Sequence, residues 1–299
     1  MKLYYFKDPK GNFGDDLNPW LWGQLLPDFL DDDAHELFVG IGTLINHRLP
    51  AEPVKHIVGS GYGYGDPPKI DDRFVVHAVR GYETARVLGL DPALAITDAA
   101  VLLRAVTVPR AEHKTHRAGF IPHCQSSRYF NWESVCDQLG LKYISAEWDV
   151  EKVLVEMSKC ETLLCEAMHG AIAADTLRIP WIPVTCYDYI SAFKWRDWLS
   201  TLDLPYTPTP VTSLYDIERH HPLSSRLRNH LKRQLRSVGI WSDRWTPPPR
   251  VPTGRAEYER AANELRVAAQ RPAYLSSETI LNRHVERYLE LLNQITRRK

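Results

Sequence analysis

Within its first eighty residues the chain repeatedly lays down a short apolar run and closes it with a glycine-bearing turn. Leu3 to Phe6 runs toward Gly11, Leu37 to Ile41 toward Gly42, His56 to Val58 toward Gly59, and Phe74 to Val79 toward Gly81. Runs this short, bounded by turn residues, read as buried strands. Helical stretches follow the first and the last. One passes through Trp20, Leu21, Leu25 and Leu26 with Asp15 or Asp16 as its expected cap, and one runs from Tyr82 to Leu88 and stops at Gly89. Strands whose carboxyl ends meet loops and helices imply a parallel sheet, and ligands gather outside those ends.

The rhythm pauses over residues 105–117, a polar, proline-bearing stretch read as a linker, and then resumes. Strands are expected at Ala118 to His123, Lys142 to Ile144, Thr162 to Leu164 and Pro180 to Val184; helices at Trp132 to Leu139, Val150 to Ser158 and His169 to Leu177. Two successive half-sheets predict an α/β chain of two Rossmann-like domains facing a cleft, residues 1–110 and 118–210, with a helical extension over 211–299. In that extension Leu223, Leu227, Leu231 and Leu235 recur every fourth residue beside Arg226, Arg228, Lys232, Arg233 and Arg236. Trp241, Trp245 and the break Pro247-Pro248-Pro249 follow, then helices near 255–270 and 277–296.

Charge sharpens this picture. The chain carries 37 Lys+Arg and 37 Asp+Glu, yet residues 221–299 hold 16 basic against 7 acidic side chains. The tail is basic and the body acidic, which disfavours nucleic acid as a partner. The leucine-striped helix fits either an anionic membrane surface or a body on which its leucines pack. No apolar run reaches the roughly 18 residues of a membrane span, and Lys7 and Asp8 interrupt any export signal. Five cysteines without a C-x-x-C pair fit a reducing cytosol, without zinc or disulfides.

The loop Gly59 to Gly65 alternates glycine with other residues and never forms G-x-G-x-x-G, and no phosphate-binding G-x-x-x-x-G-K-[ST] occurs. NAD and ATP therefore lack their usual support, and no cofactor or metal is expected. The glycines suit either a backbone that approaches an anion or tight strand-to-helix turns. His169 begins a helix after a strand, where the helix dipole favours its neutral form and welcomes anions. His123 ends the second unit's first strand in an equivalent place. Arg80 closes a strand with a fork suited to a carboxylate or phosphate, or to a salt bridge. Asp15 or Asp16 at a cleft mouth suits proton transfer from a hydroxyl, or helix capping.

Six segments in order resemble the polysaccharide pyruvyl transferase family, in its bacterial exopolysaccharide branch: Gly11-Asn12-Phe13-Gly14-Asp15-Asp16-Leu17-Asn18, Gly40-Ile41-Gly42-Thr43, Gly59-Ser60-Gly61, Val79-Arg80-Gly81, Thr97-Asp98-Ala99-Ala100 and Met168-His169-Gly170-Ala171. The resemblance implies a GT-B-like pair of domains. Phosphoenolpyruvate would be the donor, a lipid-linked oligosaccharide at the inner face of the membrane the acceptor, and a pyruvate ketal the product. It implies His169 and Asp15 as catalytic groups and Arg80 at the donor; beside these, His123, Lys194, Arg196 and Gly61 are expected at the donor and Asp16 and Glu166 at the acceptor. Many members carry S-R-x-H-G where this chain has Glu166-Ala167-Met168-His169-Gly170. The missing arginine calls for another cation, from Lys194, Arg196, Arg128 or Arg104. A GT-B glycosyltransferase using a nucleotide sugar, with Glu166 on the ribose, and a non-catalytic assembly protein are the alternatives.

Overall fold

The computed structural model describes residues 1–216, 223–239 and 252–297. Two parallel sheets form as expected. The first holds β1 (Lys2–Tyr4), β2 (Glu36–Val39), β3 (Val54–Val58) and β4 (Phe74–Ala78) in sequential order, with Leu3 beside Phe38 and Phe38 beside His56. The second holds β5 (His116–Ile121), β6 (Lys142–Tyr143), β7 (Cys160–Cys165), β8 (Trp181–Thr185) and β9 (Thr209–Pro210), in the order β6-β5-β7-β8-β9. The strand order reverses between β5 and β7, so a crevice opens outside the carboxyl ends of those two strands. His123 follows β5 and His169 follows β7.

Ten α-helices connect or flank the strands among the described residues: α1 (Phe13–Leu25), α2 (Tyr82–Leu88), α3 (Cys124–Tyr129), α4 (Trp132–Leu139), α5 (Val150–Ser158), α6 (Met168–Thr176), α7 (Ala192–Leu199), α8 (Leu223–Ser237), α9 (Arg255–Ala268) and α10 (Glu278–Arg297). The expected spans of α2, α4 and α5 coincide with the observed ones. The expected cap of α1 does not. Asn12 takes that place, accepting from the Gly14 N–H, while Asp15 and Asp16 sit in the first turn. Asp16 instead accepts from the Asn12 N–H at 2.9 Å. A short 3-10 helix at Ala99–Ala105 escapes sequence reading because Ala99 to Leu103 are all buried, leaving no polar face to set a period.

Apolar packing joins the two sheets away from the cavity at their carboxyl ends. One apolar core joins Phe38 and Val58 of the first sheet, Leu163 and Trp181 of the second, and Leu17, Leu21 and Trp22 of α1. Ala171 and Ile172 of α6 and Leu281, Tyr288 and Leu292 of α10 complete it. On the far side of the second sheet, Ala261 and Leu265 of α9 pack against Phe120, Leu164 and Val184. The C-terminal helices thus return to the body, α9 covering one half and α10 strapping the interior layer.

Asn18 sets the register of α1. Its side chain donates to Ile41 O and Asp15 O and accepts from the Ile41 and Trp22 N–H groups, satisfying the whole amide in a fully buried position. A β-carbon on Gly40 would come within 2.4 Å of the Trp22 indole nitrogen, so that glycine is what lets α1 approach β2. Trp241, Trp245 and Pro247-Pro248-Pro249 lie outside the described residues. Among those described, no helix is long and apolar enough to cross a membrane.

Candidate active site

A cavity of about 660 Å³ lies at the carboxyl edges of both sheets, where the first turns of α1, α3 and α6 converge. Asn12, Gly14 and Asp15 line it from α1, His123 and Arg128 from the α3 segment, Ala167 and His169 from α6, and Lys194 from α7. No side chain caps α6, so its first N–H groups carry the helix dipole toward the cavity wall unclaimed.

Asp15 is largely withdrawn from water. Burial pushes its carboxyl up to about 6; His169 and Lys194 pull it down and Asp16 pushes it up. It accepts a 2.5 Å hydrogen bond from the Asn12 amide. A carboxyl tuned to that value exchanges a proton near neutrality. Burial drives His123 the other way, down to about 3, with Lys194 and Arg128 adding to the effect. Its Nδ1 accepts from the Gln125 N–H at 3.2 Å, so the neutral ring carries its hydrogen on Nε2.

His169 approaches α1 closely: a β-carbon on Gly14 would come within 2.1 Å of its Nδ1. Its Nε2 is buried, lies 3.5 Å from the Asp98 Oδ2, and makes no hydrogen bond. Lys194 stacks its ammonium 4.4 Å from the centroid of the Tyr64 ring and donates to the Tyr64 hydroxyl. Arg128 donates to Glu147 at 2.5 Å and Asp8 at 2.8 Å while still lining the cavity.

Of the expected site residues, the fold brings His169, Asp15, His123 and Lys194 to this one wall, with Arg128 among them. The others fall elsewhere, each for a stated reason. Arg80 is fully buried outside the cavity lining. Its Nε donates to Asp197 at 2.9 Å, and its terminal nitrogens donate to Thr43 and the Tyr62 carbonyl. It welds the end of β4 to α7, and an anion clamp is not what its position allows. Gly61 is glycine because the Arg80 guanidinium occupies the space of its β-carbon, at 2.3 Å, so its role is packing. Asp16 is spent on the α1 cap. Arg196 points outward from α7 and is exposed. Arg104 is tied to the Thr176 carbonyl and Glu278.

Glu166 also leaves the acceptor set. It is buried beneath the cavity, accepting from the His123 N–H at 3.0 Å and the Cys186 N–H at 2.9 Å, and burial pushes its carboxyl up. It ties together the ends of β5, β7 and β8 and does not line the cavity. Sequence reasoning passed over three groups. Lys7 and Arg48 line the cavity from the loops after β1 and β2, where the strand-end rule would have found them. Asp98 belongs to a segment matched as a motif but given no chemistry.

Parallel strands and a switch-point cavity lined by an imidazole and a raised carboxyl define an α/β protein with one polar pocket at its strand ends. The chain is 35% identical over 324 aligned positions, covering 99% of each protein, to succinoglycan biosynthesis protein ExoV of Rhizobium meliloti (strain 1021), and it belongs to the polysaccharide pyruvyl transferase family. No protein-family model and no solved structure matches it.

Proposed function

We propose that the protein transfers a pyruvyl group from phosphoenolpyruvate to a sugar of a lipid-linked exopolysaccharide repeat unit, forming a pyruvate ketal and releasing phosphate. One observation carries this reading: His169, Asp15, Lys194 and Arg128 line a single cavity that also receives the uncapped start of α6. Its volume falls within the roughly 300–1,000 Å³ of small-molecule sites, enough for a three-carbon enol phosphate and a sugar ring together.

The chemistry asks for a proton at C3 of the enol and for two sugar hydroxyls to add at C2 as the bond to phosphate breaks. One hydroxyl proton balances the one gained at C3, and the other leaves with phosphate. His169 and Asp15 are the acid–base pair for these transfers. Lys194, Arg128 and the α6 N–H groups hold the carboxylate and phosphate, Lys194 standing in for the arginine that Ala167 lacks. His123, neutral throughout the working range, donates from Nε2.

This proposal extends to a GT-B-like arrangement of domains over 1–110 and 118–210, with 211–299 as the extension, and to a cytosolic enzyme resting on the inner membrane face. α8 supports the peripheral contact, because Leu227 and Leu231 are 76% and 57% exposed beside Arg228 and Lys232. Co-flotation of the full chain with anionic but not neutral vesicles is the expected result.

The central test incubates the folded protein with phosphoenolpyruvate and lipid-linked oligosaccharide, following phosphate release and the ketal methyl by NMR. Formation of both in equal amounts is expected. Neither product, together with thermal stabilisation by a nucleotide sugar and none by phosphoenolpyruvate, would overturn the reading.

A further inference from the structure

Two buried polar atoms face each other at the edge of the cavity without hydrogen bonds, Nε2 of His169 and Oδ2 of Asp98, 3.5 Å apart. Orphaned buried polar atoms are rare enough to need an explanation, and among the described residues neither atom has another ion-pair partner within 4.0 Å. We propose that Asp98 is the positioning carboxylate of His169, holding the hydrogen of the neutral ring on Nε2 and leaving the Nδ1 lone pair to the substrate. The inference deepens the pyruvyl-transfer reading and rests on it for the identity of the substrate.

The geometry divides the two ring nitrogens. Nε2 is buried against Asp98, whereas Nδ1 lies toward Gly14, which lines the cavity. A ring that gives Nε2–H to a carboxylate accepts a proton at Nδ1, and the carboxylate then stabilises the imidazolium. Such hydrogen bonds are often long before substrate binds and tighten around it.

Asp98 is held for this task. Its Oδ1 accepts from the Ala100 N–H at 3.0 Å, capping the helix Ala99–Ala105 and leaving Oδ2 to point at the ring. The preceding Thr97 is clamped on both sides, its carbonyl accepting from the Tyr288 hydroxyl at 2.5 Å and its hydroxyl from Thr201 at 2.9 Å. The remaining charged and titratable groups facing His169 come from other elements: Asp15 from α1, His123 from the end of β5 and Lys194 from α7. None of these approaches Nε2 as Asp98 does.

The test uses the full chain with 15N-labelled histidine, the His169 signal being assigned by its loss in His169→Gln. Wild-type protein is expected to show the neutral ring protonated on Nε2. In Asp98→Asn, whose amide oxygen still caps Ala100, the His169 titration midpoint is expected to move to lower pH. In that variant kcat is expected to fall by about 10²-fold, with KM for phosphoenolpyruvate unchanged. A neutral ring protonated on Nδ1 in the wild type, or a titration indifferent to Asp98→Asn, would overturn the proposal. Because the NMR readout needs no turnover, a failure of the pyruvyl-transfer reading leaves it intact and separately measurable.

Discussion

His169 and Arg80 occupy matching places, each just past the carboxyl end of a parallel strand, and the fold treats them in opposite ways. His169 enters an uncapped helix and faces a cavity, with one ring nitrogen toward a lone carboxylate. Arg80 turns inward, and a fully buried pair with Asp197 absorbs it, while Thr84 donates to both oxygens of the same carboxylate. Even Gly81 serves that weld, since a β-carbon there would meet the Asp197 carbonyl at 1.9 Å. A polar residue at a strand end is thus a candidate for chemistry only while its hydrogen-bonding capacity stays unspent.

The sharpest way to break this contrast is to exchange its two halves. His169→Ala is expected to reduce kcat by about 10²–10⁴-fold while leaving the unfolding midpoint nearly unchanged, measured by phosphate release and urea denaturation. Arg80→Ala is expected to do the reverse first, destabilising the fold by about 3–5 kcal/mol because Asp197 is left buried and unpaired. An Arg80→Ala protein of full stability but without donor affinity would restore Arg80 to the site.

The cations differ in the same sense. Lys194→Ala is expected to raise KM for phosphoenolpyruvate by about tenfold, the order of a single charge-assisted contact. Arg196→Ala, on the exposed face of the same helix, should leave KM within error. Asp15 offers a pH test. Its carboxyl lies above the ordinary carboxylate range, so the folded state holds its proton more tightly, and the associated stability is lost as pH rises through about 6. Asp15→Asn is therefore expected to gain roughly 1–3 kcal/mol of stability relative to wild type at pH 8 while losing the rising activity limb near pH 6. The smallest effect is expected at the strap. Tyr288→Phe loses the bond to the Thr97 carbonyl and about 1 kcal/mol in urea denaturation.

Much of this architecture was legible beforehand. The strands other than β9 and the helices α2, α4, α5 and α6 follow from short apolar runs, glycine stops and helical periodicity, all local properties. The short helix Ala99–Ala105 was not, because a segment buried on every side shows no period. Among the residues that line the cavity, His169, His123 and Asp15 were legible because each sits where a strand gives way to a helix. Glu166 stands at such a turn as well, yet the backbone N–H groups of His123 and Cys186 claim its carboxylate.

The sequence by itself determined the parallel α/β rhythm, the basic character of the tail and the small set of polar residues placed at strand ends. Only the tertiary structure decided which of them face the cavity and which are consumed as welds. Spacing along the chain sets where a side chain begins, but its availability depends on partners over a hundred residues away, as Asp197 is from Arg80. Those partners meet only when the two sheets close on their shared core.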